Sequence, residues 1–281
     1  MSQRLSNRLL KLKARVHATQ NELSEEFGTL ENKARNRFQQ LLDRFDTQEL
    51  EALFEHFREE KENLEPIDDN QILRELPVRH TLSMSLDESL LRRHSTRDFS
   101  GEIISDSDLA TILWACNGIN RKSFKRTTPS AMNWQDVSVY VVMANGIWKY
   151  LPKRHALLFI RGEDYRDAFG EIKTLLRLAS AHLVFVSDKR KMNTLPTKLV
   201  NKAFDTTVNE GTFSDRARAL NVGVKLQAAA MATAGLGLAG VTRMMLNDTQ
   251  ARQLLGLSNE QEIMALYSVG YPSESILDHV F

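Results

Sequence analysis

Three short runs of β-branched and apolar residues constrain the fold of this 281-residue chain more than anything else in it. Val137-Ser138-Val139-Tyr140-Val141-Val142 opens a strand pattern over 137–143. His182-Leu183-Val184-Phe185-Val186-Ser187 and Ile263-Met264-Ala265-Leu266-Tyr267-Ser268-Val269 are two more. Between them the pattern is helical. A helix is expected over 86–92, with Asp87 and Glu88 in its first turn, where carboxylates suit the helix dipole. Another starts near Ser105-Asp106-Ser107-Asp108 and runs to Ala115. Further helices are expected over 164–179 and, Ala-rich and long, over 215–238. Helices alternating with few strands predict an α+β sandwich.

The front of the chain has a different composition. Residues 1–65 are rich in Lys, Arg, Glu, Gln and Leu, hold a single glycine (Gly28) and have no proline. Leu5, Leu9, Leu12 and Val16 recur at helical spacing. Asp46-Thr47-Gln48-Glu49 resembles a capping box, after which Leu50, Leu53, Phe54 and Phe57 line one face. Two or three amphipathic helices follow from this, serving as a cap or dimerisation arm, as a docking element for a protein partner, or as a weak interfacial helix. Residues 66–83, with Pro66 and Pro77, read as a linker, and 84–281 as the body.

Bulk properties exclude several classes. Apolar content of 42% and charged content of 26% are ordinary for a soluble globular protein. A formal net charge of +1 gives no general affinity for nucleic acid. Cys116 is the single cysteine, so there is no disulfide framework and no thiolate metal site. Set among Trp114, Ala115 and Ile119, it reads as a buried inert thiol. The histidines are scattered without metal-ligand spacing. The N-terminus lacks the apolar core of a signal peptide, and no run approaches a membrane span. A cytoplasmic, soluble protein is the expectation.

Two segments carry chemistry. Arg92-Arg93-His94-Ser95-Thr96-Arg97-Asp98-Phe99 packs three guanidinium groups and hydroxyls into a few residues, and arginine forks bind phosphate bidentately. Read alone, it is either an anion site or a solvated basic turn. Some thirty residues later comes Pro129-Ser130-Ala131-Met132-Asn133-Trp134-Gln135, a turn-forming, hydrogen-bonding stretch. Trp134 there either packs in the core or narrows a pocket.

Together these segments resemble the nitroreductase family of flavoproteins, in which an Arg-(Arg/His)-Ser-x-Arg-x-Phe segment and a Pro-Ser-x-x-Asn-x-Gln segment contact FMN. The resemblance covers roughly 84–273. Trp114-Ala115-Cys116-Asn117-Gly118-Ile119-Asn120-Arg121 is similar to a stretch of the thiazole/oxazole-type dehydrogenase branch. Asn145-Gly146-Ile147-Trp148-Lys149-Tyr150 resembles its hairpin, Gly223–Gln227 and Gly235-Leu236-Gly237 its central helix and exit, and Val269-Gly270-Tyr271-Pro272 its closing segment.

What the resemblance implies is specific. The fold would be a three-layer α+β sandwich with a central, mainly antiparallel sheet, carrying the N-terminal helices as an extension. The protein would be a homodimer with shared FMN sites. Arg93, His94 (through its backbone), Ser95 and Arg97 of one subunit would hold the cofactor. Pro129, Ser130, Ala131, Asn133 and Gln135 of the other would complete the site. Gly240, Val241 and Thr242 would lie against the flavin ring, whose N5 is the reactive centre. NAD(P)H or an organic substrate would be the hydride source, and a nitroaromatic, quinone, flavin or oxygen the acceptor. A small molecule or peptide is the implied substrate, and a non-catalytic flavin-binding scaffold is the alternative.

Two departures from the family pattern stand out. Thr242 occupies a position where many members have an acidic residue near N5. Residues 271–281 hold no Lys or Arg, so the phosphate would rely on Arg93 with Arg243, Lys225 or Arg126. Gly235-Leu236-Gly237-Leu238-Ala239-Gly240 fits G-x-G-x-x-G literally. It follows a helix instead of a strand, the wrong order for a dinucleotide loop.

Overall fold

The computed structural model describes residues 70–82, 84–121, 125–169, 178–204, 206–244 and 248–273. All belong to the larger of two compact units, Phe57–Phe281. The helices expected over 1–65 lie outside the described residues.

Seven strands form one sheet in the order β1-β4-β3-β2-β5-β7-β6, every pairing antiparallel. They are β1 Leu73–Glu75, β2 Val137–Met143, β3 Gly146–Leu151, β4 Ala156–Arg161, β5 Ala181–Asp188, β6 Ala239–Arg243 and β7 Gln261–Gly270. Both faces are covered, which is why the central strands read as nearly continuous apolar runs. All seven residues of β2 are buried. Val137, Val139, Val141 and Met143 point into one core with Leu183, Phe185, Tyr267 and Val269. Tyr140 and Val142 point into the other with Val184, Leu266 and Phe169.

The first core is roofed by α2 (Asp106–Asn117) and α4 (Gly211–Gly235), which pack on each other and on the sheet. The second is closed by α5 (Asp248–Leu255) and the short 3₁₀ turn Arg166–Phe169. The three-layer expectation holds. Two helices start where sequence places them. Ser85 accepts the Glu88 N–H to cap α1 (Leu86–Arg92), and Ser105 accepts the Asp108 N–H to cap α2. The remaining helix, α3, is Leu195–Phe204.

Several expectations shift. The long helix starts four residues earlier than expected and ends at Gly235, because the chain turns through Gly237 in the left-handed region and enters β6. Of the helix expected over 164–179, the described part is the 3₁₀ turn and the approach to β5. Residues 73–75, read as linker, are the sheet's edge strand: Leu73 pairs Leu158 and Glu75 pairs Ala156. No helix of the described residues is long and apolar enough to cross a membrane.

Candidate functional site

The segment after α1 runs along the free side of β6. Arg93 is the C-cap of α1, its N–H donating to Ser89 O at 3.0 Å. Thr96 is buried and donates its N–H to Gly240 O at 3.1 Å; Phe99 is buried and bridges to Pro272. With those two residues pinned inward, Arg93, His94, Ser95 and Arg97 stand exposed. The His94 Nδ1 lies 2.8 Å from Arg92 O. Gly240 and Val241 are buried, Thr242 is exposed and Arg243 half-buried. Strand alternation puts Gly240 and Thr242 on the α4 side of the sheet, and Val241 and Arg243 on the other. Eight of the expected site residues therefore gather at one sheet edge.

The second group sits elsewhere. Residues 129–135 form a tight turn in which Met132, Asn133 and Gln135 take φ of 51°, 54° and 48°. Non-glycine residues in that region persist only where their surroundings fix them. Ser130 Oγ accepts the Gln135 N–H at 3.0 Å, and Gln135 Nε2 lies 3.4 Å from Asn133 Oδ1. Beneath the turn, Ala131 N–H donates to Asn221 Oδ1 at 2.8 Å, and Asn221 Nδ2 donates to the buried Asp136 carboxylate at 2.7 Å. The Ser187 hydroxyl donates to the other Asp136 oxygen at 2.6 Å and takes the Arg218 Nε–H at 2.9 Å. Pro129 remains exposed, and Ser130, Asn133 and Gln135 half-buried.

One helix measures the distance between the two groups. The 129–135 turn is anchored at Asn221, and α4 ends against α1 at Gly235, where Leu82 and Ser89 crowd it. Fourteen residues of helix rise about 21 Å. Within one subunit the structure does not bring the two groups together.

Charge is distributed unevenly over these elements. Arg93 and Arg97 make no ion pair among the described residues. Arg243 donates to Ser268 Oγ and to Phe169 O, both at 2.9 Å, while its buried Nη2 has no hydrogen-bond partner among the described residues. Burial, and then the Arg97 charge, hold Arg243 down to about 10. His182, completely buried with Nδ1 2.9 Å from Ser268 Oγ, is pushed down to about 3 by burial and then by Arg243 and Arg166. Under α2, Lys225 Nζ donates to Asn117 Oδ1 and Thr128 Oγ1, both at 2.9 Å, with Cys116 O at 3.5 Å. Burial pushes Lys225 down to about 8 and the Cys116 thiol up to about 12.

A family model described as the nitroreductase family matches residues 90–271. The chain belongs to the nitroreductase family. It is 26% identical over 111 residues to a candidate nitroreductase of Methanocaldococcus jannaschii, an alignment taking in 37% of this chain and 56% of that one. A solved structure of a candidate nitroreductase from Ralstonia eutropha superposes with a TM-score of 0.62 at 26% identity, covering 76% of this chain and 97% of its own. A second, from Anabaena variabilis, shares the fold at a TM-score of 0.52 and 20% identity, covering 67% of this chain and 38% of its own.

Set against nitroreductase expectations, the structure sorts the candidate residues. The Arg97 and Arg243 guanidiniums at β6, without carboxylate partners among the described residues and one of them with a spare buried N–H, fit a dianion such as the FMN phosphate. Lys225 does not fit that role: it is 1% exposed and spends its donors on interior oxygens. Trp134 does not narrow a pocket. It is 3% exposed, packs on Met192 and Ala217, and donates Nε1–H to Thr197 Oγ1 at 2.7 Å. Ala131 packs on the same cluster, with its N–H donating to Asn221 Oδ1 and its carbonyl accepting the Trp134 N–H at 3.0 Å. Val241 packs with Phe99 and Ala179, so its side chain points away from the α4 side of the sheet. The 235–240 glycine run joins a helix to a strand, as its order required. Asp136, Asn221 and Tyr267 were not anticipated, since lone polar residues in apolar or helical runs carry no motif.

Proposed function

We propose that this protein is a soluble, cytoplasmic FMN-dependent oxidoreductase that works as a homodimer with two shared sites. The separation of its two ligand-facing groups along α4 is the observation that carries this reading. Each group is half a site, and a two-fold partner supplies the other half. Arg93, Arg97 and Arg243 would hold the phosphate, with His94 and Ser95 along the same segment. Pro129, Ser130, Ala131, Asn133 and Gln135 of the partner would close over the cofactor, and Gly240, Val241 and Thr242 would back its ring. FMN, when bound, supplies two-electron chemistry at N5. Around it the chain supplies cations that favour a reduced, anionic ring, and a turn that excludes water. With Thr242 in place of an acidic residue, a proton at that edge comes from solvent or substrate.

NAD(P)H is the proposed reductant. The Gly118-Ile119-Asn120-Arg121 and Asn133-Trp134-Gln135 details favour the thiazole/oxazole-type dehydrogenase branch, with oxidation of a small molecule or peptide and oxygen as acceptor. Thr242 also motivates a second reading, a flavin-binding scaffold without turnover. Residues 1–65 contain none of the site residues and are assigned to dimer support or to a protein partner.

The test is the spectrum of the purified full chain as it is diluted. Bands at roughly 370 and 450 nm mark flavin in the purified protein, and a gain in flavin fluorescence marks its release. Release of flavin in step with dissociation to monomers is expected, by mass action between assembly and ligand. A monomer retaining stoichiometric flavin would refute the shared site, and a colourless dimer would refute the cofactor. Flavin retention without NAD(P)H oxidation would select the scaffold reading.

A further inference from the structure

Two side chains of α4, one turn apart, grip the ligand-facing turn from below. Asn221 Oδ1 takes the Ala131 N–H at 2.8 Å, and Lys225 Nζ donates to Thr128 Oγ1 at 2.9 Å. Positions i and i+4 lie about 6 Å apart along one helix face. The grips fall on either side of Pro129 and Ser130, the part of the turn that faces outward.

Both grips are built in an expensive way. Lys225 is 1% exposed and meets only neutral oxygens, those of Asn117, Thr128 and Cys116. An apolar side chain of its length would fill the same volume without burying an ammonium. Asn221 is 2% exposed and sits between the Ala131 amide and the buried Asp136 carboxylate, itself bonded by Ser187, whose hydroxyl oxygen accepts the Arg218 Nε–H. The turn they hold has three residues in the left-handed region, a geometry that needs such over-determination. The packing of the sheet does not call for these polar groups; the placement of the turn does.

We propose that Asn221 and Lys225 are positioning residues that set the height and tilt of Pro129–Gln135 on α4, so that Pro129 and Ser130 meet the FMN held mainly by the second subunit. This rests on the shared-site reading above. Neither side chain touches the cofactor. They act through the backbone of the turn and through Thr128.

The experiment uses the full chain with Thr128→Val, Asn221→Leu and Asn221→Asp. FMN affinity is read by flavin fluorescence, the bound geometry by visible circular dichroism, and folding by far-ultraviolet dichroism and melting. Thr128→Val is nearly isosteric and removes one acceptor of Lys225. It and Asn221→Leu should weaken FMN binding about tenfold or more, the scale of a lost hydrogen bond to a charged or buried group, and change the visible dichroism of what still binds. Asn221→Asp puts two carboxyls together, which hold a shared proton only at lower pH. Its FMN affinity should recover as pH falls, because the protonated pair reproduces the amide's donor and acceptor. Folded variants with unchanged affinity and dichroism overturn the assignment. So does a loss of affinity that merely tracks loss of native structure in all three. A wild-type chain that binds no FMN overturns the cofactor reading instead.

Discussion

The Tyr267 hydroxyl stands where a side chain on residue 240 would begin. A Cβ built on Gly240 overlaps the phenol oxygen, and the adjacent ring carbon lies 2.6 Å away. Tyr267 is 3% exposed, with its pKa pushed up to about 12 by burial, and Thr233 is its hydrogen-bond partner. Gly240→Ala should therefore destabilise the fold by about 2 kcal/mol, the usual scale of overpacking, lowering Tm by about 4–8 °C. Tyr267→Phe should not restore it, since the ring carbon remains. A melting curve for Gly240→Ala that matches wild type would show that Tyr267 moves freely.

Lys225 gives a pH signature with a definite sign. Its pKa falls from 10.5 to about 8 on folding, so between those values the unfolded chain holds a proton that the folded one lacks. Stability must then rise with pH over that window, by about 3 kcal/mol if Lys225 acted alone. Cys116 opposes it from pH 9 upward, because its pKa rises from 9.0 to about 12 and the folded chain keeps the proton. Urea denaturation across pH 8–9 should show a rise in wild type that is absent in Lys225→Met. Parallel curves for the two proteins would place the ammonium in solvent.

His182 sets the acid limit in the opposite window. With a folded pKa near 3 against 6.5 unfolded, it stays neutral in the fold while the unfolded chain takes up a proton. Its contribution is lost as pH falls from 6.5 toward 3, on the order of 5 kcal/mol in total. His182→Gln keeps a group able to bond Ser268 and should flatten that acid loss in denaturation titrations. An unchanged acid slope would mean that His182 protonates without resistance.

Arg97 and Arg243 are like charges held together at β6, with no ion pair to either among the described residues. Arg97→Ala should leave the flavin-free chain as stable as wild type, or slightly more so. The same change should weaken FMN binding by about 10–100-fold, the range for lost charge-assisted hydrogen bonds. Isothermal titration at two salt concentrations checks both the loss and a shallower salt dependence. Equal affinity with and without Arg97 would remove it from the phosphate site.

The parts of the fold legible in the sequence are those whose burial is two-sided. β2, β5 and β7 lie between two cores, so their residues form nearly continuous apolar runs. β1 is three residues at an edge, Leu73-Arg74-Glu75, with no period to read. β6 is Ala-Gly-Val-Thr-Arg, which looks like the fraying end of the helix before it. Within the site, the arginine and Pro-Ser segments were visible because their chemistry is written in consecutive residues. Asn221 and Lys225 on a helix come together with Asp136 at a strand entrance and with Thr128 and Ala131 in a loop, and only burial turns them into a network. Trp134 could not be placed, since a tryptophan beside a turn packs inward or outward according to what α3 presents to it.

The edge strand sets how short this body can be made. Among the described residues, Leu73–Glu75 covers the outer side of β4, together with the Phe159 N–H to Ile72 O bond at 2.9 Å and the Leu76 N–H to His155 O bond at 3.1 Å. Trimming the chain to residue 84, where the family resemblance starts, would strip that cover. It would leave Ala156-Leu157-Leu158-Phe159-Ile160-Arg161 with an open row of backbone donors and acceptors. An uncovered, apolar, β-prone hexamer is a template for strand addition from another copy. Aggregation of such a shortened protein would thus say nothing about flavin binding, and residues well upstream of the first motif belong to the folded sheet.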